Sequence, residues 1–277
     1  MSFKPEIGII SSLKNDASNI DTVAAFGLHC AQVVSWNPAL ATMEIARTLR
    51  KRAAEANVRL TAIWGGYGGP VQWNFRYGPA TLGIVPPGFR WIRIKELCNW
   101  ADFAAEAGAP ALITHCGFLP ENRTDAEFEP IVEAVRKIAN HCKELGIGFW
   151  FETGQETPVA LLRVIEATGC DNLGINLDPA NLIMYGKGNP IDALDVFGRY
   201  VRCIHAKDGT PPTSGDYLGH EVRVGEGSTR YPEFIKKLLD GGFTGDLIIE
   251  REISGEQQAI DIRKTIDYLQ TLLPDVG

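Results

Sequence analysis

The stretch GIGFWFETGQETPVALLRVIEATGCDNLGINLD (146–178) decides the fold. It opens with an apolar, β-rich run that ends on Glu152 (146–152) and closes with another, LGINLD (173–178), that ends on Asp178. Between them Thr157-Pro158 offers an N-cap followed by proline at the first helical position, and Gly169 offers a stop. A strand, a helix and a second strand at this spacing form a right-handed crossover between parallel strands. The alternation continues outward in both directions. Before it lie EIGIISS (6–12), HCAQVVSW (29–36), VRLTAIW (58–64) and PALITHC (110–116); after it lie VRCIHAK (201–207) and DLIIERE (246–252). Helical stripes separate the runs. Phe128, Ile131, Val135, Ile138 and Cys142 make one, with Thr124 and Glu127 read as its capping box and Gly146 as its stop. Ile262, Ile266, Leu269 and Leu273 make the last.

Eight such runs in 277 residues predict an α/β chain folded as a single (β/α)8 TIM barrel over 1–277. No G-x-G-x-x-G follows the first strand and no phosphate-binding G-x-x-x-x-G-K-[ST] occurs, so nucleotide chemistry drops out. Two connections are long, 65–88 and 208–229. Both follow strands, which places them on the face where barrel enzymes keep their active sites, and both read as lids. A composition 45% hydrophobic and 22% charged supports a large core. The net charge of −7 has the wrong sign for gripping nucleic acid. Six cysteines are scattered without a C-x-x-C pair, and no signal peptide or uninterrupted apolar span accompanies them. A reduced, cytoplasmic protein without a membrane segment is expected.

Four of the later strands end in a side chain able to hold a metal: Glu152, Asp178, His205 and Glu250. Strand alternation sends Phe149 and Phe151 to the helix side and Gly148, Trp150 and Glu152 into the barrel. By the same phase Asn176 and Asp178 point inward, as do Cys203, His205 and Lys207, and Ile248, Glu250 and Glu252. Three carboxylates and one imidazole on a single rim form a hard, oxygen-rich set. It suits one divalent ion, Mn²⁺ first, with Mg²⁺, Co²⁺ or Zn²⁺ as alternatives. Without a cation the carboxylates would repel and one would take a proton.

In order and position, FETGQE, NLDPANL, IHAKD, VGEG and IERE resemble the xylose isomerase-like TIM-barrel superfamily of sugar and sugar-phosphate isomerases and epimerases. The resemblance implies that Glu152, Asp178, His205 and Glu250 ligate one metal, with Glu152 and Glu250 also serving as acid and base on opposite faces of the substrate. The implied chemistry is proton transfer beside a carbonyl through a metal-stabilised enediolate. Isomerisation, epimerisation and loss of water, as in an inosose dehydratase, stay open, as does a catalytically silent sugar-binding barrel. Two positions depart from ketose 3-epimerases: Asn181 replaces a histidine three residues after the metal aspartate, and Pro211 replaces an arginine six residues after the metal histidine. With only five histidines and a net charge of −7, the DNA-repair branch, endonuclease IV, is not the expected one.

Further residues are expected around the substrate, a small carbohydrate. His115 ends the fourth strand in phase with the interior, and Lys207 could reach a substrate oxygen or pair with the carboxylates. Asn181 follows the metal aspartate. Trp36 and Trp64 close strands two and three and, with Tyr67 and Trp73, could wall a sugar ring. Glu226 is expected to order the 208–229 connection, His141 to be solvated, and Glu252 to stand in should Glu250 not be a ligand. No glycine turn or arginine cluster marks a phosphate site, which favours an unphosphorylated substrate. A homo-oligomer is compatible with the resemblance, since lids in that superfamily are often completed by a neighbour.

Overall fold

The computed structural model describes residues 5–273. Its elements are β1 (Ile7–Ser12), α1 (Asn19–Ala25), β2 (Cys30–Ser35), α2 (Met43–Glu55), β3 (Arg59–Gly65), α3 (Gly78–Thr81) and α4 (Pro87–Ala107). There follow β4 (Ala111–Thr114), α5 (Phe128–Glu144), β5 (Gly148–Glu152), α6 (Pro158–Thr168), β6 (Leu173–Leu177), α7 (Pro179–Met184) and α8 (Pro190–Phe197). The chain ends with β7 (Val201–Ala206), β8 (Asp208–Gly209), β9 (Glu221–Val222), α9 (Tyr231–Asp240), β10 (Asp246–Ile249) and α10 (Glu256–Leu272). Parallel strands close in the order β1-β10-β7-β6-β5-β4-β3-β2, giving the eight-stranded barrel that the alternation predicts. The short β8 and β9 pair antiparallel above it.

The inward and outward phases follow the sequence reading. Phe149, Phe151, Leu173, Ile175, Leu177, Leu247 and Ile249 are buried in the layer between strands and helices. Inside the barrel Ala62, Trp64, Ala111 and Ile113 pack with Trp150, and Cys30, Cys203 and Ile248 fill the adjoining level. Register then sets the rim. Glu152 pairs with Asn176, Asn176 with Cys203, and His205 with Ile248, so one further step of two residues carries Asp178 and Glu250 to the same end as His205. Helix α6 starts and stops where expected: the Thr157 hydroxyl accepts from Ala160 N, and Gly169 takes the left-handed conformation.

Three local expectations are corrected. The Thr124–Glu127 capping box does not form; Asn122 and Asp125 side chains accept from Thr124 N and Glu127 N in two tight turns, and Glu127 caps α5 through its backbone alone. His141 is not simply solvated, because its Nε2 lies 2.8 Å from Asp102 Oδ1 and ties α5 to α4. Glu226 pairs with Arg223 at the surface. The 208–229 connection is ordered instead by buried Asp208, whose carboxylate accepts from the backbone N–H of Gly209, Gly225, Gly227 and Thr229 at 2.9–3.1 Å. A Cβ at Gly227 would collide with that carboxylate, so glycine is required there.

The 65–88 connection is held by a residue the sequence pattern does not flag. Arg93 of α4 is fully buried and donates to the carbonyls of Gly68, Pro70, Thr81 and Gly83 at 2.6–3.2 Å, with its guanidinium 4.4 Å from the Tyr67 ring centre. Arg93→Met keeps most of the volume but leaves one buried carbonyl, that of Gly83, and three part-buried ones, those of Gly68, Pro70 and Thr81, short of a donor. A loss of about 3 kcal/mol is expected, read as a lower urea midpoint together with faster proteolytic nicking within 65–88. An unchanged midpoint would show that the loop stands without it. Among the described residues no helix is long and apolar enough to cross a membrane.

Candidate metal centre and active site

Glu152, Asp178, His205 and Glu250 come together at the C-terminal end of the barrel, each offering a ligand atom within 4.8 Å of the others. His205 is the hub. Its Nδ1 lies 3.0 Å from Glu152 Oε1, 3.1 Å from Glu250 Oε2 and 3.8 Å from Asp178 Oδ2. Asp178 is held from both sides of its peptide by Thr153, whose hydroxyl accepts from Asp178 N and donates to Asp178 O. Its Oδ1 caps α7 by accepting from Asn181 N at 2.8 Å, while its Oδ2 is buried with no hydrogen-bond partner. The Lys207 ammonium is 3.7 Å from this oxygen, beyond hydrogen-bond reach, so a buried carboxylate oxygen that also faces two further carboxylates and an imidazole keeps a place for a directly bound cation. The donor set therefore fits one hard divalent ion.

Charge in the cluster is strongly coupled. Burial opposes ionisation of Glu152, but His115 and His205 overcome it and hold the carboxyl well below its usual range. Burial likewise opposes Glu250, yet Lys207 and His205 lower it to about 2. Asp178 goes the other way: burial, with Glu250 adding to it, raises its carboxyl despite Lys207 and His205. His205 is raised well above the usual imidazole range because Glu152 and Glu250 outweigh its burial. Lys207 is also raised, burial being outweighed by Glu250, Glu252 and Asp178.

A cavity of about 310 Å³ opens above the cluster. Trp36, Trp64 and Trp73 form one wall, Met184, Tyr185 and Leu218 another, and His115, Glu152, Asn181 and Glu250 reach its polar end. The tryptophans touch in series, with ring centres 4.6 Å apart for Trp36 and Trp64 and 5.6 Å for Trp36 and Trp73. Tyr67 does not join them at the cavity. It is buried, donating to His115 O and accepting from Gly83 N. His115 Nε2 is 3.3 Å from Glu152 Oε1, and Asn181 Nδ2 donates to the same oxygen at 3.3 Å. Trp64 Nε1 donates to Glu152 Oε2. Lys207 does not line the cavity; its ammonium is enclosed by Glu252 at 2.8 Å, Glu250 at 3.3 Å and Asp178 at 3.7 Å.

The sequence profile of the family described as Xylose isomerase-like TIM barrel matches residues 20–272. The chain belongs to this family. A solved xylose isomerase domain protein from Planctomyces limnophilus is 33% identical, with 98% of this chain and 97% of that one superposed at a TM-score of 0.91. The 3-keto-D-glucoside 4-epimerase of E. coli shares the fold at 15% identity, with a TM-score of 0.74 over 97% of this chain and all of that one. Inosose dehydratase of Geobacillus kaustophilus is 23% identical over 57% of this chain and 61% of its own length. The chain spans about three-fifths of the length of the curated relatives it matches.

This xylose isomerase-like barrel also carries polar groups around the centre that the strand-end reading passes over. Gln32 and Asn176, both fully buried, lie inside the barrel beneath His205. Gln32 shares the inward phase of β2 with Cys30 and Val34, so a lone glutamine among apolar interior residues was the available signal. Glu156, the last residue of FETGQE, is buried near His115, and burial raises its carboxyl to about 7. A second trio, Glu6, Cys30 and Asp246, sits at the opposite end of the barrel, where Arg59 donates to Asp246 at 2.9 Å and to Glu6 at 2.6 Å. That guanidinium already pairs with both carboxylates.

The raised His205 gives a pH prediction. In the metal-free protein near pH 7 its imidazole keeps the Nδ1 proton that a metal must displace. Affinity for Mn²⁺ should therefore rise by about tenfold per pH unit between roughly pH 6 and 7, with about one proton released on binding. Calorimetry in buffers of different ionisation enthalpy measures that proton. Affinity independent of pH, with none released, would contradict the ligand role of Nδ1.

Proposed function

We propose that this chain is a divalent-metal-dependent isomerase or epimerase of a small, uncharged sugar or polyhydroxylated carbonyl compound. The observation that carries the proposal is the cluster of three carboxylates and an imidazole at the polar end of a tryptophan-walled cavity. Glu152, Asp178, His205 and Glu250 would hold the ion, with Mn²⁺ first among the hard divalent ions that suit them. When bound, it supplies charge stabilisation to the substrate oxygen that becomes anionic as a neighbouring carbon loses its proton.

The rest falls to the protein's own groups. Glu152 and Glu250 are both held ionised, so either can begin as a base. Asn181 Nδ2 and His115 Nε2 stand beside Glu152 Oε1, positioned to donate to a substrate hydroxyl. The faces of Trp36, Trp64 and Trp73 offer an apolar surface to a sugar ring. Among the described residues no arginine or lysine lines the cavity, whereas Glu152, Glu250 and Glu252 do, which disfavours a phosphorylated substrate. Six unpaired cysteines fit a reducing compartment, and we place the protein in the cytoplasm on that ground.

The likeness to inosose dehydratase supports a second reading, in which the same proton abstraction is followed by loss of a neighbouring hydroxyl as water. Incubating the Mn²⁺-loaded protein with panels of ketoses, aldoses and inososes, read by mass spectrometry and NMR, separates the two. An isomeric product of unchanged mass supports the isomerase or epimerase; a product lighter by one water supports the lyase. Metal retained tightly with no turnover across all panels would overturn both.

A further inference from the structure

We propose that Gln32 is a positioning residue for the metal centre, accepting a hydrogen bond from His205 Nε2 so that Nδ1 is left free to bind the ion. The inference rests on the metal-dependent reading above and assigns a task to a residue on the far side of the barrel from the ligands. His205 is on β7 and Gln32 on β2; both are fully buried, and their side chains meet inside the barrel with Nε2 and Oε1 2.7 Å apart. A neutral imidazole carries one hydrogen, and the nitrogen facing an amide oxygen must be the one that carries it. Nδ1 then presents its lone pair. It is the nitrogen that points at Glu152, Asp178 and Glu250.

The amide itself is oriented from its other end. Gln32 Nε2 donates to Asn176 Oδ1 at 3.3 Å and lies 4.0 Å from Cys203 Sγ, which turns Oε1 toward the imidazole. With the amide reversed, its NH₂ would face Nε2, the hydrogen would move to Nδ1, and the ligand would be lost. Outer partners of metal-bound histidines set ring orientation and tautomer in this way and commonly govern metal affinity. None of the other three ligands supplies this constraint, because each meets the Nδ1 side of the ring.

Three proteins test it, with Mn²⁺ binding followed by electron paramagnetic resonance. Gln32→Leu keeps the bulk and removes the acceptor, and should weaken Mn²⁺ binding by about 10- to 100-fold. Gln32→Glu keeps an acceptor for Nε2–H and can take a hydrogen bond from Asn176 Nδ2, which has no partner in the parent; its affinity should stay within about threefold of the parent. Unchanged affinity in Gln32→Leu, or an equal loss in both variants, would reduce Gln32 to packing and overturn the proposal. Should Gln32→Leu fail to fold, the parent itself decides. In its Zn²⁺-loaded form, long-range ¹H–¹⁵N spectra should show the His205 hydrogen on Nε2 and a metal-shifted Nδ1; the reverse assignment overturns the proposal. A parent that binds neither ion overturns the metal reading as well, whereas a parent that binds while Gln32→Leu binds equally overturns only the role of Gln32.

Discussion

Asp178→Asn and His205→Ala are each expected to weaken divalent-metal binding by more than about 10²-fold while leaving the barrel folded, since loss of a ligand should exceed the effect of losing an outer partner. Asp178 is the cleaner site because its two oxygens have separate tasks. Oδ1 caps α7, and asparagine retains that acceptor; Oδ2 faces the cluster without a partner, and the amide removes its charge. The metal-free stability of Asp178→Asn should be no lower than the parent's. Burial and the nearby Glu250 already raise the Asp178 carboxyl, so the ionised form costs the folded state stability above its unfolded pKa, and the neutral amide relieves that cost. The apolar interior below, built from Trp64, Ile113 and Ile248 with their neighbours, does not depend on the rim. Equilibrium dialysis with Mn²⁺ and thermal melts without it measure the two effects. Unchanged metal stoichiometry in both variants would refute the ligand set.

Much of this architecture was legible because parallel barrel strands are short, buried on both sides and punctuated by strong helix signals. The β5–α6–β6 unit shows why: alternating Phe149 and Phe151, the Thr157-Pro158 start and the Gly169 stop all agree with one another. The cluster was legible for a related reason. A strand's two-residue period fixes which side chains face inward, so polar ends on consecutive strands must converge. What escaped was everything that depends on pairing across distant segments. Arg93 lies in a helix whose periodicity says nothing of the four loop carbonyls it binds, and Asp208 reads as one more acidic residue until the glycine-rich connection folds around it. Lys207 was compatible with either substrate or carboxylates. Only the positions of Glu252, Glu250 and Asp178 around its ammonium decide between them.

The proposed division of labour between Glu152 and Glu250 predicts the largest catalytic effects. The two carboxylates descend from β5 and β10, with β6 and β7 between them, and both reach His205 Nδ1 from their own strands. A flat intermediate lying across the centre would present one face to each. Glu152→Gln and Glu250→Gln keep the size of the side chain and a weak ligand oxygen but remove the base, and each is expected to lower turnover by about 10²- to 10⁴-fold. Their environments differ in a way that makes the outcomes unequal. Glu152 is enclosed by donors from Trp64, His115, Asn181 and His205, whereas the Glu250 side chain is 17% exposed and faces Lys207. Glutamine at 152 must therefore offer its NH₂ to one of those donors or to the ion, so Glu152→Gln should also weaken metal binding, while Glu250→Gln should act mainly on the rate. In an epimerase, each variant stops net turnover, yet one of them still exchanges substrate hydrogen with D₂O from the face whose base survives. That exchange without inversion separates two-base epimerisation from an isomerase in which one carboxylate shuttles the proton, where the essential variant loses both together. Parent-like exchange and turnover in both variants would make the carboxylates structural and remove the acid–base mechanism.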